Sequence, residues 1–183
     1  MWIFGYGSLM FDAWESKYAC IDRRWAHLQG HRRAFNKKSV ENWGTDACPG
    51  LTLNLQQSDS HSCRGVAFGF AENNEDTQVL LAYLTRREAC KPRNLPILLE
   101  DERQVTAVIY IYEGKNLLGE GVPLDEKVDM VVGARGNSGA CVDYVKRTFD
   151  RLDSIGIHDP EVTELWNAVK NRLTRRPPPE CRS

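Results

Sequence analysis

No apolar run in this chain is long enough to cross a bilayer. The longest, around residues 105–112, stops well short of the ~20 residues that a spanning helix needs, and its β-branched residues are those of a strand. An excess of charge of one sign is also missing. There are 24 basic and 25 acidic side chains and a formal net charge of -1, so no general field attracts a polyanion and nucleic acid is not an expected partner. The pairs Arg23-Arg24, Arg32-Arg33, Arg86-Arg87 and Arg175-Arg176 leave room for a local basic patch. The six cysteines contain no Cys-x-x-Cys, and the four histidines are equally scattered. No metal-ligand spacing exists and no cofactor is expected. In a reducing compartment the cysteines read as free thiols, with Cys48, Cys63 and Cys141 as small core residues. The beginning of the sequence lacks the charged, apolar and cleavage regions of a signal peptide, so a cytoplasmic location is expected.

What is present is an ordinary globular composition, 42% apolar and 27% charged, in a length suited to one domain with its own core. The chain opens with Trp2-Ile3-Phe4 leading into Gly5-Tyr6-Gly7-Ser8. This reads as a strand over residues 1–6 feeding a tight loop. A second strand is expected over 24–37. Strict alternation over 51–55, a polar turn over 56–62 and a further strand over 65–70 read as a hairpin. A helix then starts at Asn74, a capping residue with Glu75 and Asp76 in its first turn. Val79, Leu80, Tyr83 and Leu84 form its inner face, and Pro92 ends it by about Cys90. Residues 104–112 give the plainest strand. Helices follow over 124–134, 138–155 and 160–173, with Asn137 or Ser138 capping the second of these. The expected organisation is α+β, one domain over 1–174 with a frayed tail over 175–183.

Two features carry chemistry. Glycines on both sides of Tyr6 permit positive φ and close approach of backbone N–H groups to a ligand, which suits a carboxylate or a developing oxyanion. A hairpin turn of no function would look similar. Glu88 lies one helical turn beyond Leu84 on the inward stripe. A carboxylate there reads either as a catalytic group, more basic than a free one through desolvation, or as half of a surface ion pair with Arg86 or Arg87.

Together these residues form a pattern. The opening Trp2-Ile3-Phe4-Gly5-Tyr6-Gly7-Ser8-Leu9 resembles the ChaC-type branch of the γ-glutamylcyclotransferase family. Tyr83-Leu84-x-x-Arg87-Glu88 is similar to its second motif, and Gly136-Asn137-Ser138-Gly139 followed by Tyr144 is similar to its third. His158-Asp159 after a glycine also fits, and the resemblance spans roughly residues 1–173.

The resemblance implies a mixed, strongly curved sheet or small barrel with flanking helices. It also implies a lyase that cyclises an N-terminal γ-glutamyl group to 5-oxoproline, with glutathione as substrate, Cys-Gly as the second product, and no metal or cofactor. Glu88 would be the acid/base. Tyr6, Gly7, Ser8 and Leu9 would hold the γ-glutamyl group, and Arg33, in Arg32-Arg33-Ala34-Phe35, would orient its α-carboxylate. Tyr144 is read either as reaching the site or as a core tyrosine. The family's Gly-Gly-Tyr-like turn after Arg-Glu is replaced here by Ala89-Cys90-Lys91-Pro92-Arg93-Asn94. This segment offers Lys91 or Arg93 to the glycyl carboxylate, or selects another γ-glutamyl amine. A non-catalytic γ-glutamyl-binding protein is the reading from a different class, and oligomeric state is not specified.

Overall fold

The computed structural model describes residues 1–71, 74–119 and 121–175. The elements run β1 (Trp2–Gly5), β2 (Asp22–Ser39), β3 (Gly50–Gly69), α1 (Asn74–Glu88), β4 (Pro92–Leu99), β5 (Gln104–Tyr110), α2 (Leu124–Gly133), β6 (Arg135–Gly136), β7 (Gly139–Ala140), α3 (Cys141–Ser154) and α4 (Pro160–Arg175), with short 3₁₀ turns at Ser8–Met10 and Trp14–Tyr18. The α+β class and the small-barrel architecture are as expected. Five strands close a barrel in the order β1-β3-β2-β4-β5, and β6 pairs with β7 apart from it. The chain divides into two compact units, one made of 1–32 and 55–114 and the other of 33–54 and 115–183.

The first unit contains the barrel's defined registers. β1 pairs antiparallel with β3, Phe4 opposite Ala67, and parallel with β5, Trp2 opposite Ala107. β4 pairs antiparallel with β5, Leu95 opposite Ala107 and Ile97 opposite Val105. Alternate residues of these strands share one face, and with Ala26 and Leu28 of β2 and Ile111 just after β5 they form a core of Phe4, Ala67, Ile97, Leu99, Ala107 and Ile109. Tyr110 lies out of phase with that row. It is also buried, and its hydroxyl meets α1 at Thr85 Oγ1 (3.2 Å) and the Leu81 carbonyl (3.3 Å). Gly65 leaves no space for a side chain beside β1, because a Cβ there would lie 2.4 Å from the Gly5 carbonyl oxygen.

In the second unit α2, α3 and α4 pack on one another. Asp159 starts α4 by accepting a bond from the Val162 N–H at 3.3 Å, with Pro160 at the first helical position, where its missing N–H costs nothing.

Several expectations are corrected. Residues 56–62 do not form a turn; β3 runs unbroken from Gly50 to Gly69. Its polar middle faces solvent, and without glycine or proline nothing interrupts the extended backbone. β4 was missed because Pro92, Arg93 and Pro96 obscure the alternation of Leu95, Ile97 and Leu99, of which Ile97 and Leu99 are buried. Val79 is 61% exposed, so the inner stripe of α1 is Leu80, Leu84 and Glu88 at four-residue spacing. The stretch 136–139 is the turn of the β6–β7 ribbon, with Gly139 at φ 122°. Neither Asn137 nor Ser138 caps α3; Ala140 precedes it without a side-chain bond. The side chain of Asn74 and the residues beyond Arg175 lie outside the described set, and with them the capping expectation and most of the expected tail. Cys20, Cys63, Cys90 and Cys141 are free thiols, but Cys48 is disulfide-bonded. Sequence spacing alone gives no view of that pairing.

Candidate functional site

The loop after β1 is held by its carbonyls. The Trp14 indole N–H donates to the Leu9 oxygen at 2.8 Å, and Arg23 donates to the Met10 oxygen at 3.1 Å. Trp14 is itself fixed edge-on against Phe68, with 5.2 Å between centroids. The Met10 and Phe11 N–H groups close the 3₁₀ turn on Gly7 and Ser8. The Gly7, Ser8 and Leu9 N–H groups come earlier in that turn, where a helix offers its amides no internal partner. The positive φ expected of the loop glycines is not used. Gly7 has φ -136°, and the positive-φ glycines among the described residues are Gly30, Gly121, Gly139 and Gly156. Gly5 fits by proximity instead, since a Cβ there would sit a tight 3.2 Å from both Leu9 Cβ and Phe68 Cε2. The Leu9 side chain is in the core, so Leu9 offers only backbone, whereas Ser8 is exposed.

Glu88 is the last residue of α1, and its side chain is 21% exposed. Its Oε1 lies 3.2 Å from Arg87 Nε, so the ion pair considered from sequence exists. The same guanidinium, however, reaches well beyond that pair. Arg87 Nη2 donates to Ser8 Oγ at 3.2 Å and to Asp12 Oδ2, and Nη1 donates to the Tyr83 hydroxyl at 3.4 Å. One side chain therefore joins two segments about 75 residues apart. Burial alone would lower the Arg87 pKa, but the Tyr83 bond and the charges of Glu88 and Asp12 outweigh it and raise it. Tyr110 lines the same region. Burial pushes its hydroxyl up and the Glu88 charge pushes it further, against a partly opposing bond from Thr85. The Tyr6 hydroxyl donates to the Tyr110 carbonyl at 2.8 Å.

Tyr6, Gly7, Ser8, Leu9 and Glu88 thus share the first unit, with Ser8 and Glu88 joined through Arg87. Asp12, Thr85 and Tyr110 were not singled out as site residues. Asp12 gave no signal, and Tyr110 was read only as part of the strand over 104–112. Arg93 is paired with Glu113 at 3.0 Å.

Arg33 and Tyr144 belong to the second unit. The Arg33 guanidinium is 1% exposed and pairs with Asp159 at 3.2 Å. The Tyr144 hydroxyl accepts the Leu53 N–H at 3.1 Å, and its ring packs against Trp43 and Phe35. Cys141 is no nucleophile. Its sulfur lies 3.2 Å from the Leu51 N–H and 3.3 Å from the Leu51 carbonyl, and burial pushes the thiol up to about 12. Among the described residues no group of three or more His, Cys, Asp or Glu side chains is placed to hold a metal, and no helix is long and apolar enough to cross a membrane.

A small closed barrel whose first strand ends in a glycine-flanked serine loop, tied to a helix-terminal glutamate, defines a class of protein. The chain belongs to the ChaC-like protein family, whose model matches residues 1–172. It is similar to γ-glutamylcyclotransferase 2-3 of Arabidopsis thaliana, 28% identical over 95% of this chain and 90% of that one. It is also similar to glutathione-specific γ-glutamylcyclotransferase 1 of Rattus norvegicus, 29% identical over 94% and 80%. The fold matches that of a yeast γ-glutamyl cyclotransferase specific to glutathione, with a TM-score of 0.80 and 20% identity over 93% of this chain and 96% of that one.

Proposed function

We propose that this protein is a γ-glutamylcyclotransferase that converts glutathione to 5-oxoproline and Cys-Gly. The observation that carries the reading is the tether of the Glu88 carboxylate and the Ser8 hydroxyl to one guanidinium, that of Arg87. The family to which the chain belongs, and relatives named for this activity over nearly the whole length, support the same reading.

The reaction asks little of a protein. The substrate's α-amine attacks its own side-chain carbonyl carbon, a C–N bond closes the five-membered ring, and the bond from that carbon to the cysteinyl nitrogen breaks. No water, nucleophilic side chain or redox partner enters the balance. Glu88 takes the proton lost by the attacking nitrogen and returns it to the departing amine, a role worth about 10²–10⁴-fold in rate. The Gly7, Ser8 and Leu9 amides face the γ-glutamyl group and the oxyanion of the tetrahedral intermediate. Holding the glutamyl chain bent contributes the proximity term, up to ~7–11 kcal/mol in favourable systems. Tyr6, bonded to the Tyr110 carbonyl, keeps the loop against β5. Arg33 and Tyr144 are assigned to the framework of their own unit, because Arg33 is buried against Asp159 and Tyr144 satisfies the buried Leu53 N–H there.

Incubation of the purified protein with glutathione, followed by chromatography, should show equal amounts of 5-oxoproline and Cys-Gly. Release of neither would overturn the reading. Release from γ-glutamyl-alanine but not from glutathione would keep the reaction and replace the substrate.

A further inference from the structure

Arg87 has an unusual set of partners for a residue adjacent to a catalytic carboxylate. Neighbours one position apart on a helix point in different directions and do not normally face each other. Here Arg87 Nε and Glu88 Oε1 lie 3.2 Å apart at the end of α1, and Ala89 takes a left-handed conformation, φ 53°, immediately after Glu88. All three guanidinium nitrogens are engaged. Nε faces Glu88, Nη1 faces Tyr83, and Nη2 reaches both Ser8 and Asp12. Tyr83 is braced in turn by Tyr18, with ring centroids 5.2 Å apart. Asp12 meets the arginine at Nη2. A planar fork with five N–H donors spans such a set, whereas a lysine ammonium, a point donor, cannot.

We propose that Asp12 and Arg87 form a latch that sets the Ser8 loop and the Glu88 carboxylate in register with each other, making both positioning residues of the reaction. The proposal rests on the cyclotransferase reading above. It assigns Arg87 a role other than charge balance for Glu88, and it brings in Asp12, a residue outside every motif of the sequence. The latch closes a span that no local segment closes, since the loop and the end of α1 are far apart in the chain. Opening it would leave Ser8 and Glu88 on intact elements while losing the distance between them. Misplacement of about 1 Å at a reacting centre costs on the order of 10²-fold in rate.

Two measurements on the full-length protein test this. Hydrogen exchange across residues 7–12, read by mass spectrometry, needs no activity. Asp12→Asn and Arg87→Gln should each speed exchange there and leave β5 unchanged. Steady-state kinetics with glutathione should then show kcat/KM lowered about tenfold or more for Asp12→Asn and further for Arg87→Gln, with Arg87→Lys recovering only part. In Arg87→Gln the acidic limb of the kcat/KM profile should move to higher pH, because a carboxylate that loses a neighbouring cation ionises less readily. Tyr110 also faces Glu88 electrostatically and is unchanged in these variants. Exchange and kcat/KM both within about twofold of the parent in Asp12→Asn would overturn the latch. So would an Arg87→Gln protein that melts lower but keeps its pH profile. A parent protein that releases no 5-oxoproline would sink the cyclotransferase reading instead, and the exchange arm would still report whether the latch exists.

Discussion

The two units use the same residue types to opposite ends. Each has an arginine next to a carboxylate. In the second unit the Arg33 guanidinium is 1% exposed and its partner Asp159 also caps α4, so that pair joins a strand to a helix start. In the first unit Arg87 is 20% exposed, pairs with the last carboxylate of α1 and reaches a loop serine. Each unit also has a tyrosine bonded to strand backbone: Tyr144 accepts from Leu53, and Tyr6 donates to Tyr110. The difference lies in what remains accessible. A buried ion pair with satisfied geometry holds a fold, whereas the Arg87–Glu88 pair stays partly open to solvent beside the serine loop. Residue type and motif membership do not separate the two cases; burial and partner identity do.

That contrast breaks most directly at Glu88. Glu88→Gln keeps the shape of the side chain and removes its ability to carry a proton, so turnover of glutathione should fall by about two orders of magnitude or more with the circular dichroism spectrum unchanged. Near-normal 5-oxoproline release would remove the first unit's claim to the chemistry. The complementary change, Arg33→Ala, should do the reverse. It strips a half-buried carboxylate of its cation and should cost up to about 3 kcal/mol of stability in urea unfolding, the lower end of the range for breaking a buried pair because Asp159 keeps some access to water. Its KM for glutathione should stay within about twofold of the parent, a uniform-binding criterion. A large rise in KM without loss of stability would move Arg33 from framework to substrate binding.

Tyr144→Phe sharpens the same division at smaller scale. Losing the hydroxyl leaves the buried Leu53 N–H without that acceptor, a loss of about 1–2 kcal/mol, while the ring contacts with Trp43 and Phe35 survive. Melting temperature should fall and KM should not move. A raised KM at unchanged melting temperature would give Tyr144 a place at the substrate.

How far the sequence disclosed this arrangement follows from the range of the interactions. The strand of Trp2, Ile3 and Phe4 and the helix ending at Glu88 are written in local patterns, period two and period 3.6, and both appear where expected. Glu88 was picked out because its stripe continues from Leu84. β4 was hidden because Pro92 and Pro96 are strand breakers in isolation, and only pairing with β5 on one side and β2 on the other fixes them as extended. Asp12 was invisible for a different reason. Its importance comes from a contact 75 residues away, and an aspartate in a loop has no periodicity to betray it. Arg87 lay in a motif, yet its reach to Ser8 and Asp12 depends on where β1 ends relative to α1, which no local rule encodes.

The two helix ends complete the comparison and give the finest test. α3 in the second unit stops beside Gly156, left-handed at φ 69°, a conformation glycine takes freely. α1 in the first unit stops at Ala89, left-handed at φ 53°, where the side chain makes that conformation cost about 1–2 kcal/mol. The sequence departs from the family's glycine-rich turn at this point, but the backbone still takes the path a glycine would favour. Ala89→Gly should therefore relieve strain in the folded state. Against this, glycine frees the unfolded chain and costs about 0.4–1 kcal/mol. The net expectation is a gain of about 0.5 kcal/mol in urea unfolding, with Glu88 still presented and turnover retained. Destabilisation by about 1 kcal/mol would mean that the gain in unfolded-chain entropy wins and that the left-handed alanine is not a strained join. A gain in stability accompanied by lost turnover would mean that the alanine side chain, and not only the backbone turn, holds Glu88 against Arg87.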